Sequence, residues 1–147
     1  MNYNIETSLG ENEQFSSFLQ EKVKEFNNKH SEHHREIRKK GAIQPINIIV
    51  SDEEGRWLGG IHADVYWNWV EINYLWIRDD FRGKGLGSQL LERAEKLAKK
   101  LGARKALLTT FEFQARSFYE IHGYQVAGEI KDYPPGSCYY TMVKTLS

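Results

Sequence analysis

Three glycines at alternate positions, Gly83, Gly85 and Gly87, stand between an apolar strand and an amphipathic helix, and no other feature constrains the fold of this chain as much. Upstream, Val70-Glu71-Ile72-Asn73-Tyr74-Leu75-Trp76-Ile77 reads as a strand. Downstream, Leu86, Leu90, Leu91, Ala94, Leu97, Ala98 and Leu101 recur at helical spacing. A glycine turn that opens a helix presents unpaired N–H groups and the positive end of the helix dipole. Such a turn suits an anion, above all a phosphate or pyrophosphate, which glycine lets the backbone approach without a Cβ in the way. Arg82 and Lys84 add mobile cations, and Ser88 follows the last glycine. Two common phosphate loops are excluded. There is no Gly-x-x-x-x-Gly-Lys-Ser/Thr run, and the glycines do not fall as G-x-G-x-x-G. The strand Ala106-Leu107-Leu108-Thr109 also lacks the acidic residue that a dinucleotide fold would place at its end.

The rest of the chain reads as one mixed α/β domain over residues 1–147. Tyr3 to Thr7 is a weak opening strand. Phe15, Phe18, Leu19, Val23 and Phe26 mark an amphipathic helix over Glu13–Lys29. The polar stretch His30–Gly41 either extends that helix or forms a mobile segment. Ile46–Val50, Arg56–Tyr66 and Val70–Ile77 form a meander, with a hairpin turn at Ser51–Gly55 and a short turn at Trp67-Asn68-Trp69. Gly59-Gly60 inside the second strand implies a bulge or a close backbone contact. Gly102 stands where the long helix needs its C-terminal cap. A buried strand Lys105–Thr110 follows, then a helix from Glu112 or Phe113 to His122. Strands Tyr124–Ile130 and Cys138–Lys144, joined by a turn at Asp132–Gly136, close the sheet.

Charge and composition exclude several classes. Lys plus Arg and Asp plus Glu both number 20, so no net field favours nucleic acid. No apolar run approaches the length of a membrane span, and the N-terminus lacks the basic and apolar regions of a signal peptide. Cys138 is the single cysteine, so no internal disulfide forms. A cytoplasmic protein is expected. Its oligomeric state, monomer or homodimer, is open.

Arg82 to Gly87 reads R-x-x-G-x-G after a strand ending Leu75-Trp76-Ile77. Gln114-Ala115-Arg116-Ser117-Phe118-Tyr119-Glu120-Ile121-His122-Gly123-Tyr124 reads A-x-x-(F/L)-Y-E-x-x-G-(F/Y). In this order and spacing the two segments resemble the paired signatures of the GNAT superfamily of N-acetyltransferases, over roughly the second half of the chain. The resemblance implies an acyl-CoA N-acyltransferase fold: a mixed, mostly antiparallel sheet flanked by helices and splayed between Val70–Ile77 and Lys105–Thr110, where a pantetheine arm lies. It implies acetyl-CoA as co-substrate, held by Leu75, Trp76 and Ile77 through a bulged backbone, by Arg82, Gly83, Lys84, Gly85, Leu86, Gly87 and Ser88, and by Gln114, Ala115 and Phe118. Many members carry asparagine where this chain has Glu112, so Gln114 or the backbone alone takes that contact.

The reaction so implied sets three tasks. An amine, with a pKa of about 10 when lysine-like, must lose a proton before attacking the thioester. The developing oxyanion needs a preorganised donor. The departing thiolate needs a proton. The resemblance assigns the donor to a backbone N–H near Leu75–Ile77 and the thiolate's proton to Tyr119. Glu71, on the strand bordering the site, is the candidate base, with His62 and Asp64 weaker candidates. A solvated strand carboxylate is an equal reading of Glu71. His122 reads as a cation capping a helix C-terminus. His30, His33 and His34 lack companion ligands and read as a solvated helix end, so no metal is expected. The aromatic residues Tyr66, Trp67, Trp69, Tyr74, Trp76, Tyr133, Tyr139 and Tyr140 either fill the core or wall a cleft for a cationic or flat amine. The expected activity is acetyl transfer to a primary amine of a small molecule. A protein N-terminus or lysine as acceptor, and a non-catalytic acyl-CoA-binding module, are the alternatives.

Overall fold

A computed structural model describes residues 2–147, and the chain divides after Lys39 into an N-terminal unit and a unit spanning Lys40–Ser147. In the first unit, Asn12 caps helix α1 (Glu13–His30) by accepting the Phe15 N–H at 3.0 Å. Ser31 interrupts the helical path and caps a short α2 (Glu32–Ile37) through its contact with the His34 N–H, 3.2 Å. The break resolves the His30–Gly41 stretch: a serine that takes an extended conformation and accepts from the next turn starts a new helix. One sequence expectation fails here. Tyr3–Thr7 forms no strand, and Tyr3 and Ile5 are exposed. Four or five residues of weak alternation carry little pairing energy of their own. The apolar stripe of α1 is helical as expected, yet Phe15, Phe18, Leu19, Val23 and Phe26 are all exposed.

The second unit is a six-stranded sheet in the order β1-β2-β3-β4-β6-β5, comprising β1 (Gln44–Ser51), β2 (Trp57–Tyr66), β3 (Trp69–Ile77), β4 (Lys105–Phe111), β5 (Gln125–Lys131) and β6 (Cys138–Thr145). All neighbours pair antiparallel except β3 and β4. Asp52 organises the first hairpin by accepting from the Glu54 and Arg56 N–H groups, each at 2.9 Å. Trp67 and Asn68 take φ of 52° and 64° between the paired residues Tyr66 and Trp69, the two-residue turn that matches strand twist. Gly102 takes φ +100° after the long helix α3 (Leu86–Lys100). The last helix is shorter than expected: residues 112–115 form a turn, and α4 spans Arg116–Ile121.

Burial alternates along the strands, and the buried set (Ile46, Ile61, Ala63, Val65, Val70, Ile72, Ala106, Leu108, Met142) meets Leu90, Leu91, Ala94 and Ala98 of α3. Leu97 and Leu101 lie outside this contact and stay exposed. Glu95 is buried on the same helix, accepting from Tyr124 Oη at 2.7 Å and Lys144 Nζ at 2.8 Å, so neither the carboxylate nor the ammonium is left unpaired. Among the described residues, no helix is long and apolar enough to cross a membrane.

The two glycines inside β2 mark a close approach, and the register with β1 also shifts beside them, from Val50 opposite Gly59 to Ser51 opposite Trp57, while pairing with β3 stays regular at both. A Cβ on Gly60 would lie 2.5 Å from Ile48 O, and one on Gly59 would lie 2.6 Å from Trp76 O. Backbone cannot yield as a flexible side chain does. Gly60→Ala is therefore expected to destabilise the protein by roughly 1–3 kcal/mol, seen as a lower urea midpoint at unchanged slope.

Candidate active site

The sheet opens where β3 meets β4. Their parallel pairing covers only Trp69–Ile72 against Lys105–Leu108, and beyond it the strands part as expected. The irregularity in β3 lies earlier than the resemblance implies. The register with β2 shifts between Tyr74 opposite His62 and Ile72 opposite Ala63, which makes Asn73 the extra residue and leaves Leu75–Ile77 regularly paired. Asn73 Nδ2 donates to Asp64 Oδ2 at 2.9 Å, pinning the bulge from the facing strand. The Arg78 N–H bonds Leu58 O at 2.8 Å, so by antiparallel alternation Trp76 and Tyr74 spend their backbone on β2. Leu75 and Ile77 then turn theirs toward the open side. One of those groups is taken: Arg82 Nε donates to Ile77 O at 2.7 Å, and Arg82 Nη1 pairs with Asp79 at 2.9 Å. Arg82 is thus an anchor of the loop rather than the mobile cation its exposed sequence position implied. Lys84 Nζ lies 5.3 Å from the centre of the Phe81 ring.

The loop itself is built by backbone geometry. Gly83 and Gly85 take φ of +77° and +78°, and Gly85 is the N-cap of α3 with no side-chain cap bond. The first intrahelical bond runs from Gln89 N–H to Gly85 O at 3.1 Å, so the N–H groups of Leu86, Gly87 and Ser88 point out of the helix end. They face a cleft of about 730 Å³. Its walls include Leu75, Trp76, Ile77, Arg82, Gly83, Gly85, Leu86, Gly87, Ser88, Gln114, Ala115, Phe118 and Tyr119, which is every cofactor residue expected from the sequence except Lys84. Phe81 and Phe113 complete it, and neither was singled out from the sequence. Gln114 lines the wall with its amide oxygen committed to the Phe111 N–H at 2.9 Å, closing the turn before α4.

Tyr119 is buried, with its ring edge-on to Phe118 and Tyr124 at 5.2 and 5.7 Å, and burial raises its phenol above the ordinary tyrosine value. Glu71 does not line this cleft. By alternation from the buried Val70 and Ile72 it faces the side of the sheet away from α3, together with Asn73, Tyr74 and Trp76. There Tyr66 Oη donates to Glu71 Oε2 at 2.6 Å, and this bond to a carboxylate pushes the Tyr66 phenol up to about 12. Asp64 is the cross-strand partner of Glu71, and His62 Nε2 lies 3.7 Å from Asp64. His62 Nδ1 also contacts Asn47 Oδ1 at 2.7 Å. The aromatic residues divide. Tyr140 belongs to the core. Tyr133 and Tyr139 group with Phe111, whose ring lies 4.7 Å from Tyr139 and 5.5 Å from Phe113. Tyr74 and Trp76 stand exposed across the opening. No cluster of metal-ligating side chains occurs among the described residues.

The cleft suits acetyl-CoA on two grounds internal to the molecule. Outward N–H groups at the mouth of a helix match the charge of a pyrophosphate. Beyond the four paired residues of β3 and β4 the strands part, which leaves the outward backbone of Leu75 along a slot that the amides of a pantetheine arm can line.

Comparison with known proteins agrees. The acetyltransferase (GNAT) family profile matches residues 12–124. Blasticidin-S acetyltransferase from Streptomyces morookaense is 37% identical over 107 residues, covering 70% of this chain and 79% of that protein. An acetyltransferase of Bacillus cereus superposes with a TM-score of 0.79 at 30% identity, over 96% of this chain and 98% of the other. A streptothricin acetyltransferase from Bacillus anthracis, solved with acetyl coenzyme A, shares the fold at 20% identity and a TM-score of 0.62, over 78% and 68% of the two chains. The chain belongs to the GNAT family and is an acetyl-CoA-dependent N-acetyltransferase.

Proposed function

We propose that the acceptor is a primary amine of a small molecule, acetylated directly while both substrates are bound. The observation that carries this reading is the placement of two proton-handling groups on opposite faces of the open sheet. Tyr119 lines the cleft on the helix side, and Glu71 stands on the far face beside exposed Tyr74 and Trp76. Acetyl-CoA supplies the activated acetyl thioester. The N–H groups of Leu86, Gly87 and Ser88 hold its phosphates, and the outward backbone of Leu75 and Ile77 lines the slot. Glu71 takes the proton of the incoming ammonium, with its carboxylate oriented by Tyr66. Tyr119, kept neutral by burial, gives a proton to the leaving sulfur. The exposed aromatic faces of Tyr74 and Trp76 offer cation–π contact to a charged amine. The named activity of the Streptomyces relative, on an antibiotic, favours a small acceptor over a peptide.

The test is thiol release from acetyl-CoA with blasticidin S, streptothricin and spermidine, against a peptide with a free N-terminus and a lysine. Turnover of a small amine is expected, with Glu71→Gln lowering kcat by roughly a hundredfold. Turnover of the peptide alone would assign the enzyme to protein acetylation, and an unchanged Glu71→Gln rate would remove Glu71 as base.

A further inference from the structure

His122 closes α4, yet its ring does not serve the end of its own helix. Nε2 lies 2.8 Å from Ser88 Oγ, in the first turn of α3 and 34 residues away in sequence. The ring is held in that position. It packs on Phe118 with centroids 4.8 Å apart, and the His122 N–H bonds Tyr119 O at 3.0 Å. Gly123, at φ +92°, turns the chain away immediately afterwards. Phe118 is also the ring that a Cβ on Gly87 would meet, so Phe118, Gly87, Ser88 and His122 form one packed group at the mouth of the loop.

Ser88 lines the phosphate end of the cleft and has one hydroxyl proton. In a 2.8 Å contact only one partner donates. If Ser88 donates to an unprotonated Nε2, its oxygen lone pairs are what an incoming phosphate meets, and that repels. If Nε2–H donates to Ser88 Oγ, the hydroxyl proton is free to point into the cleft and bond a phosphate oxygen. An anion in the loop selects the second arrangement, because only there is every donor directed at an acceptor.

We propose that His122 is a positioning residue of the acetyl-CoA site, its Nε2–H donating to Ser88 Oγ and so aiming the Ser88 hydroxyl at the bound phosphates. His122 itself does not touch the co-substrate. It acts through Ser88, adding a side-chain donor to the row of N–H groups from Leu86 to Ser88.

Calorimetric titration with acetyl-CoA, and separately with free CoA, tests this without any acceptor. Ser88→Ala and His122→Phe, which keeps a ring against Phe118 but has no N–H, should each weaken both ligands about fivefold to tenfold. The double variant should lose no more than either single one, since both remove the same hydroxyl contact. His122→Gln, which returns an amide donor, should restore most of the affinity. In the wild-type protein, 15N spectra of the histidine ring should show His122 protonated at Nε2 when saturated with acetyl-CoA. Wild-type affinity in His122→Phe, additive losses in the double variant, or a ring protonated only at Nδ1 in the complex would each overturn the assignment. Thermal melts of the variants separate misfolding from lost binding, and the spectrum of the wild-type protein needs no variant at all.

Discussion

Gly85→Glu is expected to abolish acetyl-CoA binding while leaving the sheet folded. Gly85 is the N-cap of α3 at φ +78°, and a Cβ there meets no heavy atom within 4 Å, so the added side chain has room. Its cost to the fold is the left-handed backbone, of order 1–3 kcal/mol for a non-glycine residue. Its cost to the ligand is larger. A carboxylate placed at the helix mouth takes the outward N–H groups for itself, as an acidic cap does, and repels the phosphates they would hold. Affinity should fall by more than about a hundredfold, or roughly 3 kcal/mol, in a calorimetric titration at low salt. Near wild-type affinity would mean that the phosphates lie elsewhere. Gly85→Ala separates the two effects, since it carries the backbone strain without the charge.

Tyr119→Phe addresses the chemical step. Removing one oxygen leaves the ring against Phe118 and Tyr124, so acetyl-CoA affinity should stay within about twofold while kcat falls by roughly a hundredfold. The pH dependence has a definite sign. Burial disfavours the charged phenolate, so the Tyr119 pKa lies above 10 in the folded protein and the donor form persists through neutral pH. An alkaline fall in kcat that reports Tyr119 must therefore come at higher pH than for free tyrosine, and must vanish in Tyr119→Phe. An unchanged kcat would leave Tyr119 as packing alone and assign the sulfur's proton to another group.

What the sequence made legible was whatever depends on local chemistry. Alternate glycines after a strand dictate an open helix mouth, and the meander, both its turns and the Gly102 cap follow from turn residues whose φ requirements are severe. What it hid depends on contacts across the sheet. The bulge at Asn73 has no glycine to announce it and is fixed by Asp64 on the neighbouring strand, so parity along β3 could not be counted from β3 alone. Arg82 read as a free cation because one of its two partners, Ile77 O, is backbone and leaves no trace in side-chain identity, and the other, Asp79, stands in the turn just before it. His122 read as a helix cap because its position in the helix is visible, whereas Ser88 is distant in sequence. The α1 stripe shows the converse: periodicity predicted the helix correctly, but periodicity specifies an apolar face and not what lies against it.

The buried Glu95 contact has a mechanical meaning. Glu95 belongs to the helix resting on β1, β2 and β3, whereas Lys144 sits on β6 and Tyr124 leads into β5, on the other side of the opening. Between the two halves the strands themselves contribute only the pairing of Trp69–Ile72 with Lys105–Leu108. The carboxylate therefore works as a strut across a partly unzipped seam. An ion pair outside the cleft thus ties together the two walls of the substrate slot, alongside the apolar core that the helix shares with both.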